Sequence, residues 1–523
     1  MEKRSSSDRA DEHGGKDAPR GHGPVLRTEN GPVRGREAAG GVTAVLGIPY
    51  AAPPFGARRF GAPEPAAPWD GVRDCTAFGP VAPQSAELPG APVWRPGDED
   101  VLTVNVWAPE DAATGPGPLP VFFWIHGGAN TFGSSAQPDF DGTALARAGL
   151  VVVSCNFRVG FEGFGHVPGH PDNRGLLDQA AALRWVRDNI AAFGGDPGNV
   201  TVAGHSSGAG AVVCLMAMER ARGLFRRAVA HSVPSAFHSV ALATAVTGRI
   251  AAAAGVAPTA EGLRSASPGA LVAASDAVSA ACATDPVAAV HAFESVIFQP
   301  VVDGEVLPAD PLRALASGAA RDIDLLLCHA EEEYWFLHTV GAVREVTTES
   351  ELGELTRALG LPDGLADAYR AVMPGAPVLD RALAVLGDAK FGAYTTRLAE
   401  THARAGGRAH LARFARARTG VRPWHTADVP FAFGNLDVPG ADFLLGGAPD
   451  EEDRALSRRM LRAWADFAAG GEPGWPPVTA TATPARVWAV PADRLADVTA
   501  SPVHGLWRSV PFGLLRPLRG PDA

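Results

Sequence analysis

A serine set between two glycines, Gly204-His205-Ser206-Ser207-Gly208, is the stretch of this sequence with the most chemistry in it. It follows Val200-Thr201-Val202-Ala203, which reads as a short buried strand. It precedes an apolar run from Ala209 to Met218 that reads as a helix buried on most sides. On so sharp a strand-to-helix turn a serine takes a strained backbone conformation that lifts its hydroxyl above the sheet. Its neighbours must be small, because strand and helix nearly touch there. The helix N-terminus then presents free N–H groups and partial positive charge to an approaching oxygen. A second glycine turn, His126-Gly127-Gly128-Ala129, follows the aromatic run Leu119–Ile125. Such a turn aims consecutive backbone N–H groups at one point, as a developing oxyanion requires. Gly128 and Ala129 are expected to give two donors, and Ser207 a third. The chemistry these stretches outline is acyl transfer. It needs two further groups, a base to take the serine proton and an acid to orient that base.

The elements that must position them follow in order. Short strands and turns before residue 100 read as an antiparallel lead-in. Leu102–Trp107, Leu119–Ile125 and Leu150–Cys155 read as strands, the last two as continuous apolar runs buried on both faces. From Gly175 to Phe193 the spacing of Leu176, Ala180, Leu183, Val186, Ile190 and Phe193 predicts an amphipathic helix. Asp324–Cys328 and His410–Phe414 read as later strands, and Arg454–Ala469 as a helix; an irregular region is expected from Trp475. Strand, helix, strand, helix in this order predicts an α/β fold with a large, mostly parallel sheet flanked by helices. Two helical insertions, Ala241–Val296 and Leu352–Leu386, are available to cap it.

Of the 523 residues, 46% are hydrophobic and 20% charged, an ordinary globular balance. We expect a polar N-terminal tail over residues 1–24 and one domain over 25–523. A net charge of −11 without a basic run argues against nucleic acid as a partner. Met1–His22 lacks the apolar centre of an export signal, and no later stretch is long and uncharged enough to span a bilayer. A cytoplasmic protein is therefore expected. Five scattered cysteines, Cys75, Cys155, Cys214, Cys282 and Cys328, argue against a disulfide framework or a zinc site. His166 and His170 have helical spacing, but Pro168 and Pro171 forbid the helix a metal pair would need. There is no Walker loop or dinucleotide fingerprint, and no cofactor is expected. Lysine occurs only at Lys3, Lys16 and Lys390, so arginine carries nearly all the positive charge.

Several long stretches carry a family resemblance. They are Leu46-Gly47-Ile48-Pro49-Tyr50-Ala51, Glu99–Val106, the His126 turn, Asn156-Phe157-Arg158-Val159-Gly160, Gly175-Leu176-Leu177-Asp178-Gln179, Phe193-Gly194-Gly195-Asp196-Pro197 and the serine turn. In this order they resemble the type B carboxylesterases, the family of bacterial para-nitrobenzyl esterases, animal carboxylesterases and cholinesterases. The resemblance implies an α/β-hydrolase fold with Ser206 as nucleophile and no metal or cofactor. It also implies the acid. The family places a glutamate at the end of Leu-Leu-x-Gly-x-Asn/Thr-x-Asp/Glu-Glu, and Leu325–Glu333 matches that pattern in register, with departures at Cys328 and Ala330. Glu333 is the implied acid, and Glu331 and Glu332 are read as solvated charges. His425 is the implied base, heading His425-Thr426-Ala427-Asp428-Val429-Pro430-Phe431-Ala432-Phe433-Gly434, which fits the family pattern.

Ala129 stands where the family commonly has a third glycine, so the donor turn depends on the φ this alanine takes; a positive value costs roughly 1 kcal/mol. Ala82 and Val101 occupy the places of a disulfide found in secreted members, and the stretch Gln84–Asp98 is short. The resemblance implies a serine carboxylesterase acting on a small-molecule ester through an acyl-enzyme. Activity is expected to fall below roughly pH 6–7, because the histidine must be neutral to accept a proton. The same three residues also suit an amide, carbamate or thioester hydrolase, or an acyl transferase. A non-catalytic interaction protein is disfavoured by retention of the serine. The residues name neither the ester nor the oligomeric state.

Overall fold

The computed structural model describes residues 23–86 and 91–518, so all but Gly23 and Pro24 of the tail read at 1–24 lie outside the described residues. Eleven strands build the central sheet. In chain order they are β1 (Arg36–Ala38), β2 (Val42–Pro49), β3 (Thr103–Pro109), β4 (Leu119–Ile125), β5 (Val151–Cys155), β6 (Gly195–His205), β7 (Arg227–His231), β8 (Asp324–Ala330), β9 (Ala409–Phe414), β10 (Pro484–Trp488) and β11 (Arg494–Asp497). Their order across the sheet is β11-β10-β9-β8-β7-β6-β4-β5-β3-β2-β1. From β10 to β5 all neighbours are parallel. The pairs β1–β2, β2–β3, β3–β5 and β10–β11 are antiparallel, which includes the expected lead-in.

The continuous apolar runs are explained by two cores. Val121, Phe123 and Ile125 of β4 point into one core, and Phe122 and Trp124 into the other. On β8, Leu325 and Leu327 alternate in the same way with Leu326 and Cys328. A period-two alternation with both faces buried leaves no polar face to read. Helices α1 (Arg174–Asn189) and α2 (Ser207–Ala217) cover the first face; all six predicted positions of the α1 stripe and its 3₁₀ extension are buried. The other face is covered by α9 (Glu451–Gly470). It starts with a reciprocal Asp450–Asp453 capping box and buries Leu456, Met460, Trp464 and Phe467.

The region from Trp475, expected to be irregular, supplies β10 and β11. Prolines at 476, 477, 484 and 491 break the chain into pieces too short for the alternation of Ala485, Arg486 and Val487 to stand out. The helical insertions are as expected. Val240–Ala253 (α3) and Pro268–Ala281 (α4) form one; Glu349–Ala358 (α5), Leu365–Val372 (α6) and Val378–Gly387 (α7) form the other, followed by α8 (Ala393–Arg404). Leu352, Leu355, Leu383 and Leu386 of α5 and α7 pack with Phe293, Tyr334 and Phe391, so this insertion covers the chain just after Glu333.

Much of the sequence that carries the resemblance is scaffold. The Asn105 side chain donates to Ser135 Oγ and Ser154 Oγ and accepts from Gly47 N–H. A buried Arg158–Asp178 pair at 2.7 Å ties the chain after β5 to α1. No helix among the described residues is long and apolar enough to cross a membrane.

Candidate active site

Strand β6 ends at His205 and α2 begins at Ser207, which leaves Ser206 alone in the turn with φ 57° and ψ −127°. A side chain at such a φ is strained by roughly 1–2 kcal/mol. The conformation is held by Ser206 N–H, which donates to His231 O at 2.9 Å, and by Gly210 N–H, which donates to Ser206 O at 2.9 Å. Glycine is required on both sides by contact. A Cβ on Gly204 would lie 2.5 Å from the Gly208 carbonyl carbon, and one on Gly208 would lie 2.2 Å from Ile125 O.

The His126 turn runs beside this elbow. A Cβ added to Gly127 would sit 3.2 Å from that of Ser206. Gly128, Ala129 and Asn130 have φ values of 115°, 53° and 58°. Ala129 thus takes the costly conformation rather than the negative φ that would have left the turn unstrained. The turn is closed by Thr131 N–H on Gly128 O at 2.9 Å and tied to its surroundings by Gly160 N–H on Asn130 O at 2.6 Å and Gly133 N–H on Gln84 Oε1 at 2.7 Å. The N–H groups of Gly128, Ala129 and Ser207 donate to no acceptor among the described residues.

Strand β8 ends at Ala330, and of the three glutamates that follow only Glu333 turns inward. Glu331 pairs with Arg413 at 3.5 Å, and Glu332 pairs with Arg422. Glu333 is 2% exposed, and its Oε2 lies 2.6 Å from Nδ1 of His425, itself 4% exposed. The other oxygen, Oε1, accepts from Ser232 Oγ at 2.7 Å and from Ala330 N–H at 2.8 Å. With both carboxylate oxygens engaged, the acid cannot rotate. The rings of His205 and Phe391 each pack on the His425 imidazole at 4.5 Å between centroids. No hydrogen bond joins Ser206 Oγ to His425 in this structure; apo sites commonly close that contact only when substrate binds.

A second acid–histidine pair lies under the first, and the sequence reading did not single it out. His231, at the end of β7, hydrogen-bonds through Nδ1 to the carboxylate of Asp428, with both side chains buried. Burial pushes the Asp428 carboxyl up, but His231, His205 and His425 outweigh it and hold it at about 2. Burial, then the charge of His425, push the His205 imidazole well below its ordinary value, so it stays neutral beside His425. Asp428 was legible as the acidic position three residues after His425; His231 carried no local signal. Cys328 completes a group with His231 and Asp428 whose ligand atoms all lie within 4.8 Å. It is poorly suited to a metal. His231 Nδ1 is already engaged by the carboxylate, and burial pushes the Cys328 thiol well up, whereas metal ligands must be deprotonated.

Three other buried imidazoles contribute to the acid sensitivity of the fold. Burial lowers His126 to about 4, His238 to about 3 and His291 to about 4, from an ordinary 6.5. Between those values and 6.5 the unfolded chain binds more protons than the folded one. Stability is therefore full above pH 6.5 and declines as the pH falls towards 4, by several kcal/mol in total (roughly). Urea denaturation at the two ends of this window checks it; an unchanged unfolding free energy would contradict it. A cavity of about 510 Å³ lies against Glu333 and is walled by His329, Trp335, Asp388 and Trp507; Ser206 does not line it.

A mostly parallel sheet covered on both faces, with a strained serine alone at a strand-to-helix turn, defines an α/β hydrolase. The comparisons with known proteins say which kind. The chain belongs to the carboxylesterase family, whose model matches residues 22–489. It is 35% identical over 478 residues to the para-nitrobenzyl esterase of Bacillus subtilis (strain 168), covering 86% of this chain and 92% of that protein. It is 33% identical over 476 residues to the fumonisin B1 esterase of Sphingopyxis macrogoltabida, covering 86% of this chain and 82% of that one. Among solved structures, a carboxylesterase of Geobacillus stearothermophilus superposes with a TM-score of 0.80 at 35% identity, covering 92% of this chain and 100% of that one. A thermophilic para-nitrobenzyl esterase gives 0.82 at 32% identity, covering 93% and 100%. The protein is a carboxylic-ester hydrolase.

Proposed function

We propose that the protein hydrolyses small-molecule carboxylic esters through Ser206, His425 and Glu333, by way of an acyl-enzyme. The observation that carries this reading is the fully engaged Glu333 carboxylate, bonded to His425 Nδ1 beside a serine held alone at the turn. With its Nδ1 proton donated to Glu333, His425 presents a free Nε2 lone pair to the Ser206 hydroxyl. Ser206 Oγ attacks the ester carbonyl as its proton passes to Nε2. The oxyanion accepts from the N–H groups of Gly128, Ala129 and Ser207, each contributing about 3 kcal/mol in the transition state. His425 then protonates the departing alcohol, and water repeats the sequence on the acyl group. Neutral His205 puts no second positive charge against the imidazolium, and Asp428 places a negative one nearby.

Residues 25–523 act as one unit in this reading. Five unpaired, buried cysteines suit a reducing compartment, and the cytoplasm is proposed as the location. Labelling with a p-nitrophenyl alkylphosphonate is expected to place one adduct on Ser206 and to abolish ester hydrolysis in parallel. An active enzyme whose adduct maps elsewhere would refute the assignment.

A further inference from the structure

The cavity of about 510 Å³ beside Glu333 is a second concave site, for none of Ser206, His425 and the His126 turn lines it. It lies between the ends of β8 and β9, the helices α7 and α8, and the short helix Pro502–Trp507. Its volume is that of a small-molecule site, and Met373, Leu383 and Val503 give it an apolar wall. The carboxylates around it are matched one by one, with a single exception. Glu331 lies 3.5 Å from Arg413, and Arg422 engages Glu332 and lies 3.6 Å from Asp380. Glu400 accepts from His504 Nε2 at 2.7 Å, and Glu333 holds His425. Asp388 has no basic partner among the described residues.

Asp388 is half-buried and opens a π-helical turn, Asp388–Gly392, a distortion that often marks functional sites. Its Oδ2 accepts from the Tyr369 hydroxyl, which itself accepts from Trp507 Nε1 at 2.6 Å. Its Oδ1 has no partner among the described residues. Burial is the largest cause pushing this carboxyl up to about 6; Glu333 adds to it, and the Tyr369 hydroxyl and Arg413 offset it only in part. A carboxylate with a cation against it moves the other way. The charge of Asp388 is therefore uncompensated. His329 offers a second acceptor on the same wall. Its Nδ1 donates to Ala330 O at 2.9 Å, and burial lowers the imidazole so that it stays neutral. That leaves a lone pair on Nε2 with no partner among the described residues. Gly392 stands between the two groups. A Cβ there would lie 3.0 Å from Asp388 Oδ1 and 3.5 Å from Cε1 of the His329 ring. The bare glycine thus leaves a recess with a carboxylate oxygen on one side and an imidazole on the other. Both lack a donor, and the carboxylate also lacks a positive charge. Arg397 donates instead to the carbonyls of Trp507 and Arg508.

We propose that this cavity is a binding site for an organic ammonium compound, separate from the ester-hydrolysing site. The cationic nitrogen sits in the recess between Asp388 and His329, and the hydrocarbon part lies along the apolar wall. The test is calorimetric titration of n-hexylammonium and 2-phenylethylammonium at roughly pH 8, where Asp388 is ionised. Hexanol, 2-phenylethanol and hexanoate serve as the neutral and anionic counterparts. Each titration is run on untreated enzyme and on enzyme inactivated with a p-nitrophenyl alkylphosphonate, which fills the ester site. Each amine is expected to bind the inactivated enzyme at one site, about tenfold tighter than its alcohol. Asp388→Asn should abolish that preference, because Tyr369 holds the amide oxygen and the NH₂ then faces the ammonium. Gly392→Ala keeps every charge but fills the recess, and should weaken both amines about tenfold. Asp380→Asn, whose carboxylate already faces Arg422, should leave them within about twofold. Thermal melts show which variants are folded. An alcohol bound as tightly as its amine overturns the inference, as does tighter binding of hexanoate or an unmoved preference in folded Asp388→Asn. Binding seen only before phosphonate treatment overturns it too, since the amine would then occupy the ester site. So does the absence of any binding up to about 10 mM amine.

Discussion

Replacing Ser206 with alanine is expected to lower kcat for p-nitrophenyl butyrate by about 10⁶, to a residue supplied by substrate binding and the oxyanion donors alone. The loss should fall on kcat and leave KM within a few-fold, because the hydroxyl forms its bond only as the reaction proceeds. Stability should change little. Alanine carries the same Cβ into the strained φ of 57°, and the bonds that hold the turn, Ser206 N–H to His231 O and Gly210 N–H to Ser206 O, belong to the backbone. Steady-state and burst kinetics on the purified variant, with a thermal melt beside them, check all three points. Activity within tenfold of wild type in a folded Ser206→Ala protein would mean that another group attacks the ester.

Glu333→Gln is expected to cost about 10⁴ in kcat, more than the loss of one charge would suggest. The reason lies in the second oxygen. Ser232 Oγ–H and Ala330 N–H both donate to Oε1, so the carbonyl oxygen of a glutamine must take that place. Its NH₂ is then forced to face His425 Nδ1. A donor there turns Nδ1 into an acceptor and moves the imidazole proton to Nε2, where it blocks transfer from Ser206. Geometry survives, but the tautomer is wrong. Measuring kcat for Glu333→Gln alone and with Ser232→Ala separates the effects. Freeing Oε1 of its side-chain donor lets the amide turn over more readily and should recover part of the loss. A drop smaller than tenfold in Glu333→Gln would remove Glu333 from the mechanism.

What could be read before the fold was seen divides by the range of the interactions involved. The elbow is local: two glycines, a strand before and a helix after specify the turn, and Ser206 takes the strained conformation expected. The alternation along Leu119–Ile125 and the stripe of Gly175–Phe193 are local as well, and both elements lie where they were read. The weak signals failed where segments were short. The strand at Pro484–Trp488 lies among prolines, and its partners on β9 are some seventy residues away.

The φ of Ala129 was left open by its own residue type, since alanine prefers the negative value. It takes the positive value inside a turn closed by Thr131 N–H and Phe132 N–H on Gly128 O and joined to Gly160 through Asn130 O. Among Glu331, Glu332 and Glu333 composition makes no choice. The family register pointed to the third; which of them turns inward is decided by partners from elsewhere, since Arg413 and Arg422 engage the other two on the outside while Ser232 and Ala330 meet Glu333 within.

By itself, then, the sequence determined the strained serine turn, the glycine turn beside it and the α/β class, because each is encoded by neighbours in the chain. Only the tertiary structure decided which charges face inward. The His231–Asp428 pair and the Lys390–Glu294 pair each join residues from distant parts of the chain, 197 and 96 positions apart. No local pattern records such a meeting. It follows from parallel strands that end side by side, and from burial that leaves a charge no partner except the one folded against it.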